Sequence, residues 1–119
     1  MYEIYFYEDT NGHSPIYEYI HNLAKKTDKS SRINSNKIND YIQLLSEHGK
    51  AVGAPYIKHI NNDIWELRPI KSRIFFASWT NNGFILLHHF VKKTQKTPKR
   101  EIEQAQRNLK DISERSGQA

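Results

Sequence analysis

The sequence predicts an α+β fold in which an N-terminal strand, a helical hairpin and a C-terminal helix pack with an antiparallel β-meander. Three observations support this prediction. Four strand-like segments joined by short polar turns occupy the second half of the chain. Apolar residues recur at helical spacing on both sides of those segments, and a Ser-Pro or Thr-Pro pair precedes two of the helical stretches. The predicted order is β-α-α-β-β-β-β-α.

The N-terminal segment combines strand, turn and helix signals in close succession. Residues 2–8 alternate loosely and are rich in aromatic side chains, which favours a strand. Thr10-Asn11-Gly12 predicts a turn, and Ser14-Pro15 predicts a helix start with a capping hydroxyl and a proline in the first turn. This first helix is expected to end near Ala24. Its apolar positions are Ile16, Tyr19, Ile20 and Leu23.

A second apolar stripe follows a polar link over residues 25–31 and predicts another helix. Gly49 is its expected C-terminal stop, since glycine accepts the backbone conformation found there. The stripe consists of Ile33, Ile38, Tyr41, Ile42, Leu44 and Leu45. Two successive helices with one apolar face each predict a hairpin that docks on the rest of the fold.

Four strands are predicted next, at residues 56–60, 64–70, 73–79 and 84–91, with short turn-forming connections. Such connections favour an antiparallel meander. A last helix is then predicted to start at Thr97-Pro98, and a polar tail is predicted over residues 113–119. The whole chain is expected to form one domain of 119 residues.

Alternation along the predicted strands assigns side chains to the two faces of the sheet. Trp65 and Leu67 share one face, which is expected to pack against the helical hairpin. Glu66 and Arg68 then lie on the opposite, more open face. Arg73 begins a strand that is apolar on both sides, so it is expected at the rim of the open face.

The adjacent histidines of the last predicted strand must face apart. Strict alternation places His88 with Leu86 on one side and His89 with Leu87 on the other. At most one histidine is therefore expected in a site on the open face, and the sequence does not select it.

Positive charge is concentrated in the strand-rich part of the chain. Residues 56–100 contain nine Lys/Arg and two acids, about +7, whereas the rest of the chain carries about −2. The nine cations are Lys58, Arg68, Lys71, Arg73, Lys92, Lys93, Lys96, Lys99 and Arg100. This charge favours an acidic partner: nucleic acid, an anionic membrane surface or an acidic protein.

Other sequence features narrow the classes of protein to which the chain can belong. No apolar run approaches the roughly 18–20 residues that span a bilayer. The N-terminus lacks the features of a signal peptide, and the absence of cysteine excludes disulfides and thiolate metal sites. The cytoplasm is the expected location, and no contact with a membrane is expected.

Several strings of residues resemble the HigB branch of the RelE/ParE superfamily, whose members are toxins of bacterial type II toxin–antitoxin modules. They are Trp65-Glu66-Leu67-Arg68, Arg73-Ile74-Phe75-Phe76, residues 87–98 and Glu101-Ile102-Glu103-Gln104-Ala105. Residues 90–98 are the most specific part. The resemblance covers essentially the whole chain, because the predicted order of elements also matches the RelE-like fold.

The resemblance implies an mRNA interferase, an endoribonuclease that usually cuts mRNA on the translating ribosome. It also implies a helix-turn-helix antitoxin of the HigA type, with a heterotetramer formed through antitoxin dimerisation. ParE toxins share the fold but bind gyrase without enzymatic activity, so gyrase inhibition is an alternative. A nucleic-acid-binding module that uses the same basic face is another.

RNA cleavage without a metal needs a base for the 2′-hydroxyl, cations for the transition state and an acid for the leaving 5′ oxygen. Arg73 matches the family's arginine at the start of the second meander strand, and a guanidinium binds phosphate oxygens through a planar fork. Arg68 is expected beside it. Lys93 could stabilise charge, or transfer a proton if neighbouring cations lower its pKa. His88 or His89 could be the acid or base, since imidazole titrates near neutrality.

The remaining cations are expected to bind RNA, although ordinary solvated side chains are the alternative for each: Lys58, Lys71, Lys92, Lys96, Lys99 and Arg100. Glu66 departs from the RelE pattern, in which lysines occupy this part of the strand. It is either a general base or, as we favour, an anchor for Arg68. The spacing of the histidines does not predict a metal site, and no cofactor is expected.

Overall fold

The computed structural model describes residues 1–117 and confirms the α+β class and the order of elements. These are β1 (Glu3–Phe6), α1 (Pro15–Lys25), α2 (Lys29–His48), a 3₁₀ turn (Gly49–Val52), β2 (Ile57–Asn61), β3 (Ile64–Leu67), β4 (Ser72–Trp79), β5 (Gly83–Val91) and α3 (Lys99–Ser116). None of the helices in this described part is both long and apolar enough to cross a membrane.

The five strands form one mixed sheet in the order β1-β5-β4-β3-β2. Strands β2 to β5 make the predicted antiparallel meander, whereas β1 pairs with β5 in parallel. Parallel neighbours cannot be joined by a tight turn, because the chain must return to the same end of the sheet. The chain leaves β1 through α1 and α2, enters the meander at β2 on the far side of the sheet and reaches β5, beside β1, last. The edge strands are therefore β1 and β2.

Both faces of the sheet are covered. One core cluster packs under α1 and α2: Ile16, Leu23, Ile38, Leu45, Ile57, Leu67, Ile74, Phe76, Phe84 and Leu86. The other packs under α3: Tyr7, Ile64, Phe75, Ala77, Ile85, Leu87, Phe90 and Ala105. The face that was expected to be more open is therefore covered where α3 buries its own apolar side, which includes Ile102, Leu109 and Ile112.

Two helix starts differ from the prediction. The α2 helix begins inside the segment predicted as a link, because the Asp28 carboxylate caps it and accepts from the Ser31 N–H at 2.9 Å. The α3 helix begins after Pro98, which is itself the N-cap, rather than with a Thr97 cap. The Thr97 hydroxyl instead donates to Glu66 Oε2 at 3.4 Å, so it ties the start of α3 to β3.

Two element ends also differ. The β3 strand stops at Leu67 instead of residue 70, since Pro69 has no N–H to donate to a ladder. The α3 helix continues to Ser116, through much of the predicted polar tail. The last two residues of that tail, Gln118 and Ala119, lie outside the described residues.

A β-bulge reverses the faces predicted for the two histidines. The β4–β5 pairing shifts between Phe75 and Phe76, so Leu87 is an extra residue in β5. Beyond this bulge the alternation is inverted: His88 lies on the α3 side together with Leu87, and His89 lies on the α1 side. The histidines do face apart as predicted, but the predicted grouping of His88 with Leu86 and of His89 with Leu87 is wrong.

Burial along α2 gives a test of the packing. Leu45 is 0% exposed, whereas Ile33, predicted on the same apolar stripe, is 44% exposed. We expect Leu45→Ala to lower the free energy of unfolding by about 2–5 kcal/mol, because it leaves a cavity. Ile33→Ala should change it by less than about 1 kcal/mol. Urea denaturation followed by circular dichroism measures both, and equal losses would contradict this placement of α2.

Candidate functional site

A groove opens at the end of the sheet where β3 turns into β4 and where β5 ends. Its volume is about 530 Å³, and two segments line it: Arg68, Ile70, Lys71, Arg73, Lys92, Lys93, Thr94 and Gln95. Five of these described lining residues are cations and none is an acid. The turn and the loop are joined at their base, where the Lys92 N–H donates to the Lys71 carbonyl at 2.7 Å. We call this surface the cationic groove.

Arg73 is fixed by the turn that precedes it. Its Nη1 donates to the carbonyls of Ile70 and Ser72, each at 2.8 Å. Ile70 has a φ of +53°, a left-handed conformation that is unfavourable for a β-branched residue. The two bonds from Arg73 satisfy carbonyls of this strained turn, so the turn and the guanidinium hold each other in place.

A buried carboxylate lies next to both arginines. Glu66 is 1% exposed, and its Oε1 lies 3.4 Å from Arg68 Nε and 3.9 Å from Arg73 Nε. Neither contact has hydrogen-bonding geometry, so the attraction is between charges. Glu66 Oε2 accepts the weak bond from Thr97. The expectation that Glu66 lies on a more open face is therefore wrong, because α3 and the loop before it cover this part of β3.

The two arginines differ in solvent exposure. The Arg73 side chain is 10% exposed and that of Arg68 is 30% exposed. Burial lowers the pKa of the Arg73 guanidinium, Glu66 opposes this, and Arg68 adds to it. The group nevertheless remains charged, since its intrinsic pKa lies far above neutrality. Arg73 is therefore a largely dehydrated cation, which attracts a phosphate more strongly than a fully solvated one.

The cationic groove collects five of the residues singled out from the sequence: Arg68, Lys71, Arg73, Lys92 and Lys93. A neighbouring pocket shares Lys93 with the groove and includes Arg100, which extends the basic surface toward the start of α3. Lys96 and Lys99 are exposed in the loop before α3 and in its first turn. Lys58 is exposed on β2, directly opposite Glu66 in the strand pair.

Neither histidine is among the residues that line the cationic groove. The His89 ring stacks on Tyr19 with the centroids 3.8 Å apart, and its Nε2 lies 3.4 Å from Ser72 Oγ. Burial lowers the pKa of His89 to about 4, so the ring is neutral at pH 7. His88 Nε2 lies 2.8 Å from Glu101 Oε1 and thereby fixes the first turn of α3.

Residues 19–110, most of the chain, match the phage-derived Gp49-like proteins. The chain belongs to the Gp49-like family. This is a family of RelE/HigB-like toxins of toxin–antitoxin systems, so the predicted superfamily is confirmed, and membership implies an antitoxin as partner. The match does not distinguish the HigB branch. No curated protein matches the chain.

The matched span contains every described residue of the cationic groove. Sequence reasoning found the cations but missed the buried position of Glu66 and its bond to Thr97. An acid between Trp65 and Leu67 in a strand was the available signal, because an acid beside apolar neighbours needs a partner if it is buried. Within residues 1–117, no cluster of three or more His, Asp or Glu side chains could hold a metal ion.

The role of Glu66 can be tested through stability. Glu66→Gln keeps the shape of the side chain but leaves both guanidiniums without their counter-charge. We expect it to lower the free energy of unfolding at pH 7 by about 2–4 kcal/mol. Glu103→Gln, at an exposed position of α3, is the matched control and should leave stability unchanged. Equal stability of Glu66→Gln and the unmodified protein in urea titrations would contradict this account.

The environment of His89 predicts a pH dependence. The pKa of His89 is lowered to about 4 in the folded state. Between about pH 4 and pH 6.5, His89 therefore binds a proton in the unfolded chain but stays neutral in the folded chain. The contribution of His89 to the free energy of unfolding should therefore be fully present above about pH 6.5. It should fall by on the order of 2–3 kcal/mol as the pH approaches 4.

We expect His89→Gln to flatten the dependence between pH 7 and pH 4, as measured by urea denaturation at a series of pH values. His13→Gln is the control, since the side chain of His13 is 68% exposed. If His89→Gln and the unmodified protein keep the same slope, the histidine is not held neutral by burial.

Proposed function

We propose that the chain is an mRNA interferase, an endoribonuclease that cuts mRNA on the ribosome and so stops translation. The cationic groove is the observation that carries this proposal. Its described lining combines five cations with no acid, so it favours a phosphodiester backbone. Arg73 is held by the turn and by Glu66 before any ligand arrives, which is the preorganisation that transition-state stabilisation requires.

The proposed reaction is attack of an RNA 2′ oxygen on the adjacent phosphorus. The bond from phosphorus to the 5′ oxygen breaks, which leaves a 2′,3′-cyclic phosphate and a 5′-hydroxyl. Arg73, assisted by Arg68, would bind the nonbridging oxygens, on which negative charge increases in the transition state. Lys93, exposed on the facing loop, would donate a proton to the leaving 5′ oxygen. Lys71 and Lys92 would bind neighbouring phosphates.

The 2′-hydroxyl must also lose a proton. The described lining of the cationic groove contains no imidazole and no carboxylate, and Glu66 is 1% exposed beneath it. The proton acceptor in this proposal is therefore a group outside the groove. A ribosome surrounds bound mRNA with phosphates and other acceptors, so ribosome-bound mRNA is favoured over free mRNA as the substrate.

The proposed partner is a helix-turn-helix antitoxin of the HigA type, which the resemblance over residues 90–98 supports. Dimerisation of that antitoxin would give a heterotetramer in the cytoplasm. The exposed cations outside the cationic groove would dock on ribosomal RNA or mRNA backbone: Lys58, Lys96, Lys99 and Arg100.

The described lining of the cationic groove has no imidazole or carboxylate to accept the 2′-hydroxyl proton, and this also favours one alternative. A ParE-like toxin binds gyrase without cleaving a substrate and needs only a complementary surface. In that case the same cations would bind acidic side chains of the target.

Substitutions in the groove test the proposal. Expression of the unmodified chain under tight control should produce new mRNA 5′ ends. Arg73→Ala should reduce these ends by about a hundredfold or more, because it removes the main transition-state cation. Lys93→Ala changes an exposed side chain and should also reduce them without loss of stability. Lys110→Ala, at an exposed position of α3 outside the groove lining, is the matched control and should cleave normally.

Other results of the same experiment would contradict either the ribonuclease activity or the proposed site. Growth arrest without new mRNA ends would contradict ribonuclease activity, and accompanying supercoiling defects would support gyrase as the target. Undiminished cleavage by a folded Arg73→Ala protein would show that the site lies elsewhere. Arg73→Lys tests the guanidinium itself, since lysine keeps the charge but not the Nη1 bonds to the Ile70 and Ser72 carbonyls.

A further inference from the structure

Within the described residues, the β1 strand pairs with β5 alone. The N–H groups of Glu3 and Tyr7 donate to carbonyls of β5 and the residue before it, both at 2.9 Å. Backbone groups alternate in direction along a strand, and the register with β5 is regular. The N–H and C=O groups of Ile4 and Phe6 are therefore directed away from the sheet.

The same outward direction is visible at Tyr2, where α2 supplies the partners. The Tyr2 N–H donates to the Ser46 carbonyl at 2.7 Å, and the Tyr2 carbonyl accepts from the Ser46 hydroxyl at 2.8 Å. The α2 helix thus covers the edge as far as Tyr2. Beyond it, Ile4 and Phe6 together offer two donors and two acceptors to an added strand.

These backbone groups face a groove of about 640 Å³ between β1 and the start of α1, larger than the cationic groove. We call it the β1 groove. Tyr17 forms part of its wall, is 55% exposed, and packs edge-on against Phe6 with the ring centroids 5.8 Å apart. Exposed tyrosine is typical of protein interfaces, because it offers contact area at a low entropic cost.

A buried hydroxyl in the β1 groove also has no partner. Ser14 is 8% exposed and occupies the N-cap position of α1, yet its side chain makes no cap bond. Its Oγ has no hydrogen-bond partner among the described residues. A buried polar group in that state is unfavourable.

The charge of the β1 groove is opposite to that of the cationic groove. Glu8 and Glu18 are the carboxylates among its described lining residues, and no lysine or arginine lines it. Arg115 donates to the Glu8 carbonyl but is already paired with Asp111 at 2.9 Å. In a chain of net charge +5, this surface repels RNA and favours a cationic segment of a protein.

We propose that an extended, cationic segment of the antitoxin adds a strand to the sheet at β1 and lies in the β1 groove. Main-chain bonds to Ile4 and Phe6 would provide affinity, and Glu8 and Glu18 would select lysine or arginine in the segment. The proposal rests on the antitoxin that family membership implies, and it does not depend on ribonuclease activity.

The first experiment removes one outward donor. Ile4→Pro deletes the N–H directed into the β1 groove but keeps the N–H groups that bond to β5. Ile4→Ala also removes the isoleucine side chain but keeps the backbone N–H donor, so it is the matched control. We expect Ile4→Pro to bind purified cognate antitoxin about tenfold more weakly than Ile4→Ala in calorimetric titrations without RNA. Equal affinities would overturn the proposal.

A second experiment uses the unmodified chain, in case the proline variant does not fold. The amides of Ile4 and Phe6 should exchange hydrogen rapidly in the free chain and become protected in the antitoxin complex. Absence of protection at both amides would overturn the proposal. Protection of these amides in the free chain, together with a dimeric mass, would also overturn the proposal, because a second copy of the chain would then occupy the β1 edge.

A third experiment tests the charge. Glu8→Gln combined with Glu18→Gln should weaken antitoxin binding severalfold at low salt and reduce its salt dependence. The exposed pair Glu103→Gln and Glu114→Gln on α3 is the control. Unchanged affinity in the first pair would overturn the cationic character of the segment. Antitoxin binding is measured by titration without RNA, and mRNA cleavage is measured by mapping 5′ ends. Failure of the antitoxin proposal is therefore distinguishable from failure of the ribonuclease proposal.

Discussion

The position of both arginines in the cationic groove depends on the buried carboxylate of Glu66. Two guanidiniums repel each other, and Arg73 has little water to reduce that repulsion. Glu66 provides negative charge to both Nε atoms from the covered side, where it takes no part in the groove surface. The groove can therefore present cations alone to a ligand. Thr97 binds the other oxygen of Glu66 and so connects this arrangement to the start of α3.

Helices cover both faces of the sheet, and the two proposed binding surfaces lie at its end and at its edge. The cationic groove follows the last residue of β5, while β1 runs beside the first half of the same strand. The two surfaces differ in chemistry as well as in place. Cationic side chains suit a phosphate backbone at the end of the sheet, and free backbone groups beside two carboxylates suit a basic peptide at the edge.

Local chemistry made most of the fold predictable. Short turns join the meander strands, and apolar spacing marks the helices, so their order followed from the sequence. Features set by packing were not predictable. The bulge at Leu87 depends on how both faces of β5 are filled, and it reversed the faces of His88 and His89. The burial of Glu66 depends on where α3 docks. The end of β3 was readable from Pro69, which cannot donate to a ladder.

The chemical nature of the cleaved ends tests the central claim, attack by a 2′ oxygen in the cationic groove, most directly. Purified protein can be incubated with ribosomes that carry a defined mRNA, and the 5′ end of the downstream fragment can be assayed for phosphorylation by a kinase without prior phosphatase treatment. Attack by the 2′ oxygen predicts a 5′-hydroxyl end that accepts phosphate at once, with a 2′,3′-cyclic phosphate on the upstream fragment. A 5′-phosphate end, or uncut mRNA, would contradict the claim.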